Sequence, residues 1–415
     1  MKNLVILGAG TAGTMMANHL VKKLNKKEWQ ITLVDQFKSH YYQPGFLFIP
    51  FGTYQPEDVK RTIDEFLPKG IQLIREKIDR IDKDTDTVIL ENGRNVKYDI
   101  LIIATGCKIA PEEVPGMKGD TWQKNIFDFY TFEGSCALAK KLETWPGGKL
   151  VVHITEMPIK CPVAPLEFAF LADDYFTKKG MRDKVEISYV TPLSGAFTKE
   201  KCTKALEYLL KDKNIKIVPD FAVEHIEGEN GKMFDYGGEE VDFDLLVTVP
   251  TNMGDECILR SGFGDDLNYV PTDKNTLQSK VKENIFVIGD ATNVPASKAG
   301  SVAHFEAEIL TENILKYIEG KPLNPKFDGH ANCFIETGKG KALLIDFNYD
   351  VEPLKGKFPF AGIGPLNLLE ESAFNHFGKM AFKWVYWNML LPARKIPFVT
   401  PTMSRAGKKF DEVEG

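Results

Sequence analysis

The sequence lacks any apolar stretch long enough to cross a membrane, and it is poor in cysteine. No segment comes near the about 18 uncharged apolar residues that a spanning helix needs. Six cysteines in 415 residues are too few for a secreted disulfide scaffold, and none forms the CxxC pair that holds zinc. A membrane-spanning helix, a secreted disulfide scaffold and a CxxC zinc site are therefore excluded. A functional role for any one cysteine must be argued from the sequence around it.

Neither a large excess of charge nor a leader pattern is visible. The net charge of −6 gives no reason to expect a nucleic-acid partner. The first residues run straight into an apolar segment, residues 4–7, without the basic and apolar regions of a secretory signal. The sequence therefore predicts a cytoplasmic protein, or one on the cytoplasmic face of the cell membrane.

Strand-like and helix-like segments alternate along most of the chain. This alternation predicts an α/β fold with two Rossmann-like, doubly wound domains, the second inserted in the first. The last part is rich in aromatic residues, proline and glycine, and it forms no obvious βαβ unit. The predicted bounds are residues 1–148 and 251–325 for the first domain, 149–250 for the second and 326–415 for a C-terminal region.

A glycine fingerprint, Gly8-x-Gly10-x-x-Gly13, follows the first apolar segment and opens a helix-like segment. The first glycine permits a tight turn, the second lets a pyrophosphate approach the backbone, and the third lets the helix pack on the strand. Asp35 ends the next strand about twenty residues further on, where a carboxylate bonds ribose hydroxyls. The pattern predicts a dinucleotide site at this turn.

Two distant segments favour FAD as that dinucleotide. An Ala-Thr-Gly turn and a Gly-Asp pair each end an apolar segment, and they resemble the FAD signatures of flavoproteins with two dinucleotide-binding domains. The helix after the Gly-Asp pair would direct its positive N-terminal end at the flavin and stabilise the reduced form. The FAD contacts predicted from these segments are Thr105, Gly106, Gly289, Asp290, Lys298 and Gly300.

The corresponding turn of the second unit, residues 155–165, contains no glycine. A pyrophosphate needs close approach to several backbone N–H groups, whereas prolines and a glutamate stand in this turn. The absence predicts a chain that binds a flavin but does not readily take electrons from NAD(P)H. The turn carries Cys161 instead, which indicates an electron donor that reacts with a thiol.

With these motifs identified, the chain resembles the sulfide:quinone oxidoreductases over nearly its whole length. The most specific likeness is Cys161 with Pro165 and Glu167, together with the distant Cys333. The resemblance implies FAD as the cofactor, sulfide as the donor, a quinone as the acceptor and a homo-oligomer. It further implies that Cys161 and Cys333 form a disulfide or sulfur chain at the flavin, with Glu167 as the base.

Two points about the cysteines stay open. A thiolate beside a flavin and a helix N-terminus is expected to have a lowered pKa, but the sequence does not tell which of the two cysteines lies nearer the flavin. Many members of the family use a third cysteine in the first half of the chain. Cys107 and Cys136 are the candidates here; Cys107 fits equally well as a packed small side chain, and Cys136, like Cys202 and Cys257, is assigned to packing.

One apolar helical stripe near the C-terminus combines aromatic side chains with neighbouring lysines. The stripe consists of Phe377, Met380, Trp384, Trp387 and Leu391. The residues off the stripe are Asn375, His376, Lys379 and Lys383. The pattern predicts a helix that lies on the membrane surface with its lysines at the headgroups. The alternative is that the stripe packs on the protein's own core or on a partner subunit.

The run of residues 358–366, upstream of the stripe, is rich in phenylalanine, proline and glycine. Aromatic walls suit a flat, uncharged quinone ring, because burial gives affinity and a few polar contacts give orientation. We therefore expect Phe347, Phe358 and Phe360 to form the walls of a quinone slot.

The main prediction is that the chain oxidises sulfide to polysulfide or sulfur and passes two electrons through FAD to a membrane quinone. The flavoprotein subunit of flavocytochrome c sulfide dehydrogenase carries a similar Cys-Pro-x-x-Pro-x-Glu run, but that protein is exported. Type II NADH:quinone oxidoreductase shares the fold and the membrane tail, but residues 155–165 lack glycine. The non-enzymatic alternative is a flavin-bound redox sensor, which would use the same cysteines but would not reduce quinone.

Overall fold

The computed structural model describes residues 1–360, 364–397 and 399–410. The strands, in chain order, are β1 (Lys2–Leu7), β2 (Trp29–Val34), β3 (Ser39–Tyr41), β4 (Lys60–Thr62), β5 (Ile71–Ile74), β6 (Ile78–Asp82), β7 (Thr87–Leu90), β8 (Asn95–Lys97), β9 (Ile100–Ile103), β10 (Cys107–Ala110), β11 (Ile126–Phe127), β12 (Gly148–Ile154), β13 (Val185–Val190), β14 (Ile215–Val218), β15 (Val223–Glu227), β16 (Lys232–Asp235), β17 (Glu240–Asp242), β18 (Leu245–Val249), β19 (Thr251–Gly254), β20 (Ile285–Val287), β21 (Ala331–Gly338), β22 (Lys341–Phe347), β23 (Gly356–Phe358) and β24 (Leu366–Leu368). The α-helices are α1 (Thr11–Leu20), α2 (Phe132–Thr144), α3 (Ala164–Lys178), α4 (Glu200–Asp212), α5 (Glu256–Ser261), α6 (Gly300–Ile318) and α7 (Ala373–Val385). A π-helical turn, Tyr386–Leu390, continues directly from α7.

The first sheet is parallel and brings two distant parts of the chain together. Its order is β20-β9-β1-β2-β5, so a strand from the second half of the chain lies beside β9. Strand β1 is buried along most of its length, as expected for a parallel sheet that is covered on both faces. Helix α1 packs on β1 and β2 and against α6. Strand β20 thus brings the chain back to the first sheet after the strands of the second.

The second sheet is also parallel, with the order β11-β18-β12-β13-β14. Helix α3 packs on β12 and β13, and α4 packs on β14. An antiparallel ribbon of β10 and β19 pairs the two segments that run between the units. The second sheet confirms the predicted α/β class. Strand β11 pairs in this sheet although it precedes residue 149. The chain therefore contributes one strand to the second unit before residues 149–250.

The C-terminal region forms a sheet of its own, with the order β21-β22-β24-β23. Helix α3 packs against β21, and α7 packs against β21 and β22. The sequence pattern did not predict these strands, because β22 is buried along nearly its whole length and therefore shows no alternation of polar and apolar residues. This packing brings α3 and α7 close enough for their side chains to meet.

Candidate active site

The first dinucleotide turn has the geometry that close approach of a phosphate requires. Gly8 has a φ of +95°, in the region that favours glycine. A Cβ on Gly13 would lie 1.8 Å from the Gly8 carbonyl oxygen, so no larger residue fits between helix and strand. A Cβ on Gly10 would meet no atom within 4 Å, which leaves open space above the backbone. The Ala9 N–H donates to Asp35 Oδ2 at 2.6 Å and ties the predicted ribose-binding carboxylate to the turn.

The ends of two further strands also fit a bound dinucleotide. A small cavity is bordered by Gly289, Asp290 and Lys298, after β20. Thr105, after β9, has a buried hydroxyl without a hydrogen-bond partner among the described residues. The next residue, Gly106, has a φ of +69° and open space where a Cβ would stand. An unsatisfied buried hydroxyl at the carboxyl end of a parallel strand fits a ligand, so the residues present fit FAD.

Lys298 is buried and is held by backbone carbonyl groups. Its Nζ donates to the carbonyl oxygens of Asp290 at 3.0 Å and Thr292 at 2.6 Å. The same atom lies 3.8 Å from the centre of the Tyr269 ring, and burial lowers the pKa of Lys298. The lysine therefore stabilises the loop that leads to Gly300, the first residue of α6. Its contact with the flavin stays a prediction.

Cys161 lies in the glycine-free turn between β12 and α3, and hydrogen bonds fix its backbone. Its N–H donates to the Lys298 carbonyl oxygen at 2.6 Å. Its carbonyl oxygen accepts from the Tyr130 hydroxyl at 3.1 Å and from the Ala164 N–H at 2.9 Å. Its φ of +48° is rare for a residue with a Cβ and marks local backbone strain. The bond to Lys298 brings the cysteine to the loop before α6, on the side of the predicted cofactor.

Cys333 lies on β21, opposite Ile345 of β22. Both Cys161 and Cys333 are half-buried free thiols that pack against the largest core. Burial raises the pKa of Cys161 to about 12. Burial also raises the pKa of Cys333, and a thiolate at Cys161 raises it further because the two groups are near each other. Among the groups that the structure contains, desolvation of the thiolate dominates. The lowered pKa expected beside a flavin stays a prediction.

Glu167, on α3, is fully buried and forms an ion pair with Lys379 of α7. Lys379 Nζ lies 2.8 Å from Glu167 Oε1, and the Glu336 N–H donates to the same oxygen at 2.8 Å. Oε2 has no hydrogen-bond partner in the described part of the chain. Burial raises the pKa of Glu167, and Lys379 counters that rise. Glu167 also raises the pKa of Cys161, so a carboxyl with one free oxygen stands near the candidate cysteines.

A second carboxyl, Glu336, extends this polar cluster to the surface. His376 Nδ1 lies 3.0 and 2.9 Å from the two Glu336 carboxylate oxygens. The His376 side chain is 35% exposed, whereas that of Glu336 is buried. Burial raises the pKa of Glu336 to about 7, against the opposing effect of His376. The sequence did not predict Glu336 or the inward position of Lys379; the one available signal was that Lys379 and His376 stand three residues apart on one helix.

Helix α7 is amphipathic, but its faces differ from the predicted stripe. Phe377 and Trp384 are 70% and 62% exposed, whereas Trp387 and Leu391 are buried in the protein's own core. Lys379, expected at lipid headgroups, points inward to the buried carboxyl instead. The single stripe is therefore wrong at its C-terminal end, because the backbone passes into the π-helical turn and changes the helical period. Within the described ranges no helix is long and apolar enough to cross a membrane.

The aromatic residues expected to form a quinone slot lie on different parts of the C-terminal sheet. Phe347 ends β22 and is buried. Phe358 ends β23, and Phe360 follows it; β24 stands between β22 and β23 in the sheet. Their arrangement around a common slot stays a prediction. Residues 361–363 of the same run, and Phe398 further on, lie outside the described residues.

The two candidates for a third functional cysteine differ in their surroundings. Cys107 begins β10, and its Sγ lies 3.8 Å from Asp290 Oδ2 and 3.8 Å from Asn252 Oδ1. Burial raises the pKa of Cys107 to about 12. Cys136 lies on α2 and is half-buried. Cys107 is thus adjacent to a predicted cofactor contact, and its role stays open.

The chain has two parallel sheets, the first with a glycine turn and the second with a turn that carries a cysteine. These features define its fold class. The family model for pyridine nucleotide-disulphide oxidoreductases matches residues 2–152. The X-ray structure of the sulfide:quinone oxidoreductase from Aquifex aeolicus is similar with a TM-score of 0.77, over 94% of this chain and 92% of that chain, at 23% identity. The chain therefore has the α/β fold of the pyridine nucleotide-disulphide oxidoreductases.

Two relatives with the same name are similar to this chain over most of its length. The mitochondrial sulfide:quinone oxidoreductase of Dictyostelium discoideum is 28% identical over 400 residues, which cover 94% of this chain and 86% of that protein. The protein of the same name from Mus musculus is 25% identical over 394 residues, which cover 93% of this chain and 86% of that protein. The chain is thus a homologue of the sulfide:quinone oxidoreductases.

Proposed function

We propose that this chain oxidises sulfide to polysulfide or sulfur and passes two electrons through FAD to a membrane quinone. The observation that carries the proposal is a cysteine in a dinucleotide turn without glycine, close to the buried pair of Glu167 and Lys379. Such a turn is suited to a donor that reacts with sulfur, because it lacks the open backbone that a nicotinamide dinucleotide needs. Relatives that bear the name sulfide:quinone oxidoreductase match most of the chain and support the proposal.

Cys161 and Cys333 are the proposed sulfur centre, joined in the oxidised protein by a disulfide. Hydrosulfide attacks one sulfur, so a new S–S bond forms while the bond between the cysteines breaks. One cysteine then carries a persulfide and the other is a thiolate. When the outer sulfur of the persulfide bonds to the thiolate, a trisulfide forms and two electrons and the persulfide proton are released; bound FAD would accept the electrons and supply the route to quinone. Further sulfide lengthens the chain until polysulfide or sulfur leaves.

Glu167 is the proposed base for the proton of hydrogen sulfide or of the cysteine thiol. Its Oε2 is free to take the proton, while Oε1 is occupied by Lys379 and by the Glu336 N–H. Lys379 counters the effect of burial on the pKa of Glu167 and so favours the ionised form of the carboxyl. We therefore assign Lys379 as a residue that positions Glu167 and tunes its pKa.

The cofactor and domain assignments belong to the same proposal. The proposed FAD contacts are Gly8, Gly10, Gly13, Asp35, Thr105, Gly106, Gly289, Asp290, Lys298 and Gly300. Residues 1–148 and 251–325 form the proposed FAD-binding domain, apart from β11, which pairs in the second sheet; residues 149–250 form the second domain, and residues 326–415 the region for quinone and membrane. The fit of the first turn to a pyrophosphate supports the FAD contacts.

The proposed membrane contact is the exposed aromatic face of α7. This face consists of Phe374, Phe377 and Trp384, which are 66%, 70% and 62% exposed. Aromatic side chains of an amphipathic helix bind at the boundary between headgroups and acyl chains, where a quinone is within reach. A peripheral position on the cytoplasmic face of the cell membrane and a homo-oligomer complete the proposal. The proposed walls of the quinone slot are Phe347, Phe358 and Phe360.

Serine variants of the two cysteines test the proposal. The purified protein with bound FAD is assayed for reduction of decyl-ubiquinone by sulfide. Cys161→Ser and Cys333→Ser should each lose at least about a hundredfold in rate, and the double variant should lose no more, because the two residues act as one unit. Cys136→Ser is the matched control and should keep the wild-type rate. Near-normal turnover in Cys161→Ser would refute the sulfur centre.

A further inference from the structure

The π-helical turn after α7 reaches the first dinucleotide turn through one side chain. The Tyr386 hydroxyl lies 2.6 Å from Thr11 Oγ1 and 2.7 Å from His40 Nε2. Tyr386 and His40 are 1% and 2% exposed, so water does not compete for the bond between them, whereas Thr11 is half-buried. Thr11 is the first residue of α1 and directly follows Gly10. A tyrosine from the C-terminal region therefore contacts the end of α1 that faces the proposed pyrophosphate site.

The direction of each hydrogen bond follows from the surroundings of His40. Its Nδ1 lies 3.2 Å from the Ala9 carbonyl oxygen, which only accepts, so Nδ1 carries a hydrogen. Burial lowers the pKa of His40 to about 4, so the ring is neutral near pH 7 and Nε2 accepts from Tyr386. Tyr386 has a single proton to give, and the Thr11 hydroxyl must therefore donate to Tyr386. The Tyr41 carbonyl oxygen, 3.4 Å from the Tyr386 hydroxyl, is a second acceptor for the same proton, so Thr11 still acts as the donor and its side chain is held in one orientation.

The same C-terminal segment also holds the opposite end of α1. Lys22 Nζ, just beyond the helix, donates to the carbonyl oxygens of Pro392 at 2.8 Å and Ala393 at 2.9 Å. This contact is exposed, and the length of α1, about 15 Å, separates it from the glycine turn. The C-terminal segment thus makes one buried contact near the proposed cofactor site and one exposed contact away from it.

We propose that Tyr386 is a positioning residue for the cofactor, and that its hydroxyl lets the C-terminal region control how long FAD stays bound. The first N–H groups of α1 have no partner within the helix and are available to a pyrophosphate. Because Tyr386 fixes Thr11, it fixes the direction of these N–H groups before the ligand binds and reduces the cost of ordering them. The inference rests on FAD as the proposed cofactor.

The rate of FAD release tests this role without any measurement of turnover. The holoenzyme is diluted, and the rise in flavin fluorescence gives the dissociation rate for the wild type, Tyr386→Phe, Thr11→Val and the double variant. Each single change removes the hydrogen bond between Tyr386 and Thr11 and should speed release about tenfold; Tyr386→Phe also removes the bond to His40 and should be the faster of the two. The double variant should release FAD no faster than the faster single variant, because both changes remove the same bond.

Lys22→Met is the matched control, because it removes the contact of the same segment at the far end of α1. It should change the release rate less than about twofold. Release from Tyr386→Phe at the wild-type rate, an equal acceleration in Lys22→Met, or multiplied effects in the double variant would each overturn the inference.

A further pair of variants keeps the test decisive if Tyr386→Phe does not fold. Thr11→Ser retains the hydroxyl and should release FAD at nearly the wild-type rate, whereas Thr11→Val should be about tenfold faster. Equal rates for these two variants would overturn the inference. A wild-type protein that carries no FAD would instead refute the proposed function, so the two failures are distinguishable.

Discussion

One buried ion pair sets the charge beside the two candidate cysteines. Burial raises the pKa of Glu167, and the Lys379 ammonium, 2.8 Å away, counters that rise. Glu167 raises the pKa of the Cys161 thiol, whereas Lys379 lowers it. The lysine therefore favours the ionised forms of both groups, which are the forms that the proposed sulfur chemistry uses.

Replacing Lys379 with methionine should raise the pKa of Glu167, because only the Glu336 N–H then opposes the effect of burial. A base with a raised pKa is ionised only at higher pH, so the rate of sulfide oxidation near pH 7 should fall about tenfold and recover partly as the pH rises. The pH profile of kcat measures this shift. Lys383→Met is the control, since Lys383 lies on the same helix with Nζ 3.9 Å from Asp58 Oδ1. An unchanged profile in Lys379→Met would contradict the assigned role.

The raised pKa of Glu306, on α6, predicts in which direction the free energy of unfolding changes with pH. Its buried carboxylate accepts the Gly289 N–H at 2.6 Å, and burial raises its pKa from 4.5 to about 8. Between these two values the unfolded chain releases a proton that the folded chain keeps, so the free energy of unfolding falls as the pH rises. Glu306→Gln cannot titrate and still offers an oxygen to Gly289, so it should escape this loss.

Urea unfolding of both proteins, with excess FAD at about pH 5 and about pH 8, measures the effect. The free energy of unfolding of Glu306→Gln, relative to the wild type, should increase by at least about 1 kcal/mol from the lower to the higher pH. If the two proteins change in parallel, Glu306 is already ionised in the folded state and the prediction is wrong.

Some site residues are predicted by a local sequence motif, whereas others lie at the site only because of the fold. Cys161 and Glu167 stand six residues apart in one motif, so the sequence predicted both. Lys379 lies 212 residues from its partner Glu167, and a lysine on an amphipathic helix is usually solvated. The sequence could therefore predict the carboxyl of the pair, but not the cation that tunes its pKa.

At the level of secondary structure, α7 has polar side chains on the face that packs on the protein and aromatic side chains on the exposed face. Asn375 and Lys379 are buried at a spacing of one helical turn, whereas Phe377 and Trp384 are exposed on another face. The helical period was predictable from the sequence, but the direction of each face was not. The inward face is set by a buried carboxyl on α3, and the π-helical turn then shifts Trp387 into the core.

Removing the exposed aromatic side chains of α7 should weaken binding to membranes. The double variant Phe377→Ser/Trp384→Ser should partition onto anionic lipid vesicles at least about tenfold less than the wild type, because it loses the apolar area available to the bilayer boundary. Cosedimentation with vesicles measures the partition. Tyr208→Ser is the control, because Tyr208 is 69% exposed on α4, outside the proposed face. Equal loss in both variants, or none in the double variant, would contradict the assigned face.

At the scale of the whole molecule, the C-terminal region connects both α/β units to the site. Lys379 reaches Glu167 of the second unit, and Tyr386 reaches Thr11 of the first. The two parallel sheets were predictable, because alternating strand and helix patterns and a glycine turn are local signals. The contacts of the C-terminal region were not, because they join segments that are far apart in the chain and carry no shared motif.

An anaerobic absorbance titration with sulfide and with NADH in separate samples, followed by decyl-ubiquinone, tests most directly which donor the protein uses. Sulfide should bleach the main flavin band, produce a long-wavelength charge-transfer band and leave a protein that quinone reoxidises, while NADH should leave the spectrum unchanged. This result follows from the turn at residues 155–165, which offers Cys161 and no glycine. Rapid bleaching by NADH would contradict that interpretation and favour an NADH:quinone oxidoreductase.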